Sequence, residues 1–191
     1  MATIITIIVI AAILLILVLW AVGIYNSLVG LRNRVDNGWA QIDVQLKQRA
    51  DLIPNLVETV KGYSIHERGL LAEIVNLRTQ SLQAQKVGEK GEVESALSSS
   101  IANLMAVVEN YPDLKANQGF LELQKKLVEI EDQIQMARRY YNGTVRNFNI
   151  SVESFPGNLV AKLFAIEQAE FFALDAASER QVPKVDVGGA A

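Results

Sequence analysis

Residues 4–24, IITIIVIAAILLILVLWAVGI, contain neither a charge nor a proline. At about 1.5 Å per residue a helix over this run extends roughly 31 Å, close to the roughly 30 Å hydrocarbon core of a bilayer. Ile4, Ile5, Ile8, Ile10, Leu14, Leu15, Leu17, Leu19 and Ile24 supply its apolar surface. Trp20 and Tyr25 stand at its far end, where amphipathic rings favour the headgroup level. The run reads as a membrane anchor over residues 1–25, with lipid as its partner. A cleaved secretory signal is the competing reading, since Ala21-Val22-Gly23 has the small residues of a cleavage site. Such a signal wants a basic n-region and an apolar run of about 7–15 residues. No Lys or Arg precedes this run and it is longer, so an uncleaved anchor is expected. Arg32 and Arg34 follow the span, and the positive-inside tendency then puts the C-terminal part in the cytoplasm, with a periplasmic placement as the alternative.

All 18 Lys and Arg and all 21 Asp and Glu lie beyond the run, so the formal charge of −3 belongs to residues 25–191, enough for one domain. That mildly acidic balance argues against nucleic acid, whose phosphates need clustered cations. With no cysteine there are no disulfides, thiolate chemistry or cysteine-held metals.

After Tyr25 the apolar pattern becomes periodic. Leu28, Leu31, Val35, Trp39, Ile42, Leu46 and Ile53 line one helical face, with Arg32, Asn33, Asp36, Asp43, Lys47 and Arg49 expected on the other. The membrane helix is therefore expected to continue into the soluble domain. Pro54 predicts a kink near Ile53. Ser64-Ile65-His66-Glu67 has the form of a capping box, so a continuous kinked helix and a fresh start at Ser64 both stay open. Leu70, Leu71, Ile74, Leu77, Ser81 and Leu82 carry the next helix to about residue 86. Residues 87–92, with two glycines, read as a loop. Val93, Leu97, Ile101, Leu104, Val108 and Tyr111 mark a third helix, and residues 112–118 a turn. Phe120, Leu123, Leu127, Ile130, Ile134, Ala137, Tyr141, Thr144 and Phe148 hold a coiled-coil-like 3-4 alternation over four heptads. Phe155-Pro156-Gly157 breaks it, and a shorter amphipathic helix is expected to about residue 178, then a tail over 179–191. The fold expected is all-α: a transmembrane helix continuing into an antiparallel up-and-down bundle over 26–178, three long helices plus a shorter C-terminal one.

Tyr25 to Tyr63, YNSLVGLRNRVDNGWAQIDVQLKQRADLIPNLVETVKGY, resembles the LemA family. So do the blocks Tyr111-Pro112-Asp113-Leu114-Lys115-Ala116-Asn117, Ala137-Arg138-Arg139-Tyr140-Tyr141-Asn142, Asn147-Phe148-Asn149, Phe155-Pro156-Gly157-Asn158 and Pro183-Lys184-Val185. The likeness runs in order over nearly the whole chain. It implies a single-pass bacterial inner-membrane protein with a helical bundle, no established reaction, and only loose links to membrane organisation. Gly38 stands where the family usually has Ala, Ala50 where a polar residue or His is often found, and Gly188-Gly189-Ala190-Ala191 looks peculiar to this chain.

Helical bundles invite a di-iron site, which needs two Glu-x-x-His motifs and further carboxylates. This chain has one histidine, His66, with no Glu three residues before it, so no metal or cofactor site is expected. Ser64, His66 and Glu67 are too close on a helix start to form a triad. Gly88 and Gly91 lack the strand and the Lys-Ser/Thr of a phosphate loop. Glu122, Glu129, Glu131 and Asp132 alternate with Lys125 and Lys126, which suits a solvated face rather than a calcium site. Tyr141 reads as core.

The expectation is thus no enzyme and no catalytic residue. Phe155, Leu159, Leu163, Phe164, Phe171 and Phe172 could lie in a membrane interface, but Lys162 is the only cation near them against Glu167, Glu170, Asp175 and Glu179. They are expected instead to pack on their own bundle or as contacts between copies. Two functions follow: a membrane-anchored scaffold that self-assembles and organises a membrane patch, or a monomeric tethered adaptor presenting one helical face to a protein partner.

Overall fold

The apolar run and the stripe that follows it form one helix. The computed structural model describes residues 1–63 and 68–172, and in it α1 spans Ala2–Lys61. Then come α2 (Arg68–Gln83), α3 (Val87–Val108), α4 (Pro112–Lys115), α5 (Gln118–Glu153) and α6 (Gly157–Leu163). Among the described residues there is no strand, so the chain is all-α, as its periodicity predicts. The capping box at Ser64–Glu67, His66, and the tail from 179 onward lie outside the described residues.

Pro54 neither ends nor restarts α1. Lacking an N–H, it leaves the Ala50 carbonyl without its intrahelical donor. Arg78 of α2 takes over that role, its Nε donating to the Ala50 oxygen at 2.6 Å. A neighbouring helix thereby repairs the rung that the proline removes.

Two helix boundaries differ from expectation. The segment 87–92 is not a loop: α3 begins at Val87, after an extended Lys86, and Glu89 in its first turn suits the positive end of the helix dipole. Gly91 is buried there rather than exposed in a turn. At the other end, α6 stops at Leu163 instead of running on toward 178. The stop is a Schellman turn: Ala165 takes φ 50°, Ile166 N–H donates to the Ala161 carbonyl at 2.8 Å, and Ala165 N–H to that of Lys162 at 3.4 Å. Within the expected turn at 112–118, Pro112 opens the short α4, a position where a missing N–H costs nothing. Asn117 then caps α5, its Oδ1 accepting from Phe120 N–H at 3.0 Å.

The helices make two compact units. Unit 1 is Met1–Gln45 with Glu131–Phe171, and unit 2 is Leu46–Ile130 with Phe172. In unit 2 the core gathers Ile53, Leu56, Val57 and Val60 of α1, Leu71 and Ile74 of α2, Leu97, Leu104 and Val108 of α3, Leu114, and Phe120 and Leu127 of α5. Each such Leu, Ile or Val contributes about 1.5–3 kcal/mol when taken fully out of water. In unit 1 Leu28, Val35 and Ile42 of α1 face Ile134, Tyr141, Val145, Phe148 and Val152 of α5. Of the predicted α5 seam, Phe120, Leu127, Ile134, Ala137, Tyr141 and Phe148 are buried, while Leu123, Ile130 and Thr144 are half-buried. Gly38 permits the close approach here: a Cβ at that position would lie 3.3 Å from the Tyr141 Cα.

Candidate functional site

Three features stand apart from ordinary core packing, and each is built from sequence that the preceding helices carry.

The first is the anchor. Ile4, Ile5, Ile8, Ile10, Leu14, Leu15, Leu17, Leu19 and Trp20 are all exposed, while Ile24 and Tyr25 are half-buried. The start of α1 is long and apolar enough to cross a membrane, and none of its apolar window is covered by protein. In water such a face is unfavourable, whereas a Leu or Ile at a bilayer centre contributes about −0.3 to −0.6 kcal/mol to insertion.

The second lies inside unit 2, and the sequence did not announce it. Arg49, expected to face solvent, is buried and forms an ion pair with Glu94 of α3; the side chains are 1 % and 4 % exposed. Arg49 also donates to Ser98 Oγ at 2.5 Å and to the Glu94 carbonyl at 3.3 Å. Ser81 of α2 donates to the other carboxylate oxygen of Glu94. One residue from each of three helices thus meets at a single carboxylate. One α2–α3 bond lies further along, Ser100 Oγ donating to Glu73 at 2.9 Å. The physical reason for burying Arg49 is register: Leu46, Arg49 and Ile53 are spaced three and four apart, so a helix that buries the first and last buries the middle one too. Glu94 likewise lies three residues before Leu97 on the buried face of α3. Reading the charge of these residues instead of their register hid them. The arrangement sets the two charges against each other inside the protein and ties α1, α2 and α3 together.

The third is the chain reversal after α5. Residues 165–171 return along α5 as a strap. Asn149 holds it twice, Nδ2 donating to the Ala169 carbonyl at 2.9 Å and Oδ1 accepting from Ala169 N–H at 2.8 Å. Tyr141 OH donates to the Glu170 carbonyl at 2.8 Å, and Gln168 to Glu153 at 2.6 Å. Burial, with the carboxylates of Glu170 and Asp36 nearby, pushes the Tyr141 phenol up to about 12. Gly157 makes the reversal tight, because a Cβ there would fall 2.0 Å from the Ser151 carbonyl oxygen. Phe164 of the reversal packs its ring against that of Tyr25 at a tilt of 49°, centroids 4.6 Å apart.

Of the residues expected to join copies, Phe155, Leu159, Leu163, Phe164 and Phe171 are exposed. Phe172 is not: at 1 % exposure its ring packs within its own chain and has no surface to offer another copy. Among the described residues no group of three His, Cys, Asp or Glu could hold a metal. Glu122, Glu129 and Asp132 are exposed, with Lys125 at 4.0 Å from Glu129.

The sequence profile of the LemA family matches residues 38–187. Two relatives from Paramagnetospirillum magneticum, magnetosome proteins MamQ 1 and MamQ 2, are each 24 % identical over 174 residues. Those matches cover 78 % of this chain, which spans 64 % of their length. Protein LemA of Metamycoplasma hominis is 28 % identical over 168 residues, covering 87 % of this chain and 74 % of its own. An uncovered apolar helix continuous with a domain of this kind marks a membrane protein. With the profile running from inside α1 to well past α6, the chain belongs to the LemA family.

Proposed function

We propose that this protein is a non-enzymatic scaffold, anchored in the bacterial inner membrane by residues 1–25, whose copies assemble side by side and organise a membrane patch. The observation that carries the reading is the exposed apolar start of α1, continuous with the helix that builds the bundle over 26–178. Anchoring confines copies to a plane and raises their effective concentration, so weak lateral contacts suffice. Unit 1 offers a surface for them. A groove of about 580 Å³ between α1 and α5 is lined by Val44, Gln45, Gln133, Met136 and Tyr140, apolar side chains with neutral amides between them. Such amides donate and accept equally, which suits contact with a second copy of the same chain. Arg32 and Arg34 favour a cytoplasmic bundle. The buried ion pair supports a structural rather than a catalytic role, because Arg49 and Ser81 both engage the Glu94 carboxylate.

Light scattering after size exclusion in mild detergent tests this. Defined particles of many copies are expected, and a clean monomer overturns the scaffold. The adaptor reading then takes its place, favoured by a groove of about 860 Å³ in unit 2, where Val57, Leu71 and Val75 form an apolar lining beside Lys61 and Arg68. That lining suits an amphipathic segment with an acidic residue.

A further inference from the structure

The exposed apolar residues after α5 form one local group. Phe155 is 75 % exposed, Leu159 59 % and Leu163 77 %, with Phe164 beside them. Single exposed apolar residues need no explanation, but four within ten positions of a rigidly held reversal do. Their position along α1 supplies one. Phe164 packs against Tyr25, the residue that immediately follows the apolar span. An independent measure gives the same level. In unit 1 α1 and α5 are antiparallel, with Gly38 against Tyr141. Counting back from Gly38 to Tyr25, and an equal number onward from Tyr141, arrives at Ser154, where α5 gives way to the reversal. The tip of unit 1 therefore lies at the depth where α1 leaves the hydrocarbon.

We propose that the 155–164 tip is a second membrane-contact element, with Phe155, Leu159, Leu163 and Phe164 lying in the headgroup–acyl boundary beside the emerging α1. The proposal rests on the span being in the bilayer, and not on self-assembly. Of the acidic residues nearby in sequence, Glu170 is held away from the tip, its carbonyl accepting from Tyr141 OH, while Glu153 and Glu167 stay near the Tyr25 level, where Glu153 accepts from Gln168. Lys162 stays on α6 itself, long enough to reach a phosphate while its stem lies over apolar surface. Attraction here comes from apolar area rather than net charge, unlike the basic interfacial helices that depend on anionic lipid. The consequence for the molecule is two-point attachment, which fixes the tilt of unit 1 on the membrane where a single helix would leave it free to pivot.

The chain has no cysteine, so single-cysteine variants of the full-length protein can carry a nitrobenzoxadiazole fluorophore in phosphatidylcholine vesicles. Leu159→Cys and Leu163→Cys alter exposed side chains and leave the core intact. Leu14→Cys reports the span, and Arg139→Cys, exposed on α5, reports water. At 159 and 163 we expect blue-shifted emission, quenching by brominated acyl chains and loss of quenching by aqueous iodide, with the opposite at 139. Iodide quenching at 159 and 163 while Leu14→Cys responds to bromine would place the tip in water and overturn the proposal. Shielding from both quenchers would mean that a second copy covers the tip, which overturns it equally. Absence of bromine quenching at Leu14→Cys would remove the anchor itself, and the proposal with it.

Discussion

The two units use the same two helices, α1 and α5, to opposite ends. In unit 2 they join α2, α3 and α4, and even the charges are enclosed: Arg49, Glu94 and Ser81 satisfy one another inside the protein. In unit 1 they meet chiefly each other, together with α6 and its strap, and apolar side chains such as Val44, Met136, Ile150 and Phe155 stay uncovered. A pair of helices has too little inward surface to hide every apolar position of a long 3-4 pattern. Unit 2 therefore encloses most of its apolar pattern, with Val75, Leu82, Leu121 and Val128 left exposed, while unit 1 leaves more of its own uncovered.

The sharpest way to break this contrast is to open the enclosed charges. Arg49→Ala or Glu94→Ala leaves the remaining ion buried without its partner and should destabilise unit 2 by about 3–5 kcal/mol, measured by denaturant unfolding. The double variant Arg49→Met/Glu94→Leu should recover most of that loss, because it removes both charges and keeps the volume. Neither change should alter particle mass if contacts between copies belong to unit 1.

In unit 1 the equivalent intervention is milder. Asn149→Ala deprives the Ala169 N–H and carbonyl of their partners, at about 1–3 kcal/mol for each backbone group left unsatisfied. Much of that is recovered as the strap loosens into water, so the clearest readout is faster hydrogen exchange at the Ala169 amide, with the core of unit 2 unchanged.

The smallest effect distinguishes the units by pH. The Tyr141 phenol is held above its ordinary value, so the folded state favours its neutral form. That contribution is fully present below pH 10, where an unfolded tyrosine is also protonated, and it is lost as pH rises from there through about 12. Unit 1 should lose stability across this window, and Tyr141→Phe should flatten the loss, as followed by the near-ultraviolet signal of Trp39, whose ring lies 5.7 Å from that of Tyr141.

Where the sequence was legible, periodicity carried the information. The α5 seam from Phe120 to Phe148 and the stripe from Leu28 to Ile53 are readable because apolar residues at those spacings leave a helix one way to face. Arg49 occupies the same register and was illegible only because its charge was taken to outrank its position. The stop of α6 gave no such cue: a glycine at 165 would have marked a left-handed C-terminal turn, whereas Ala165 takes that conformation under the hold of hydrogen bonds around it. The two glycines of 87–92 misled in the other direction, since burial of Gly91 within α3 depends on neighbours distant in sequence. The level of the 155–164 tip along α1 was beyond local reading altogether, because it follows from pairing two helices separated by a hundred residues of chain.

The exchange at Pro54 has a mechanical meaning. Within the body of an α-helix a carbonyl is held by the turn that follows it; at Ala50 it is held by a side chain from α2. A load pulled through the rod meets one joint whose strength is borrowed. While α2 is docked the joint behaves as a splice and α1 transmits force as a single strut. Once α2 lifts away, the same point becomes the hinge at which the strut yields first.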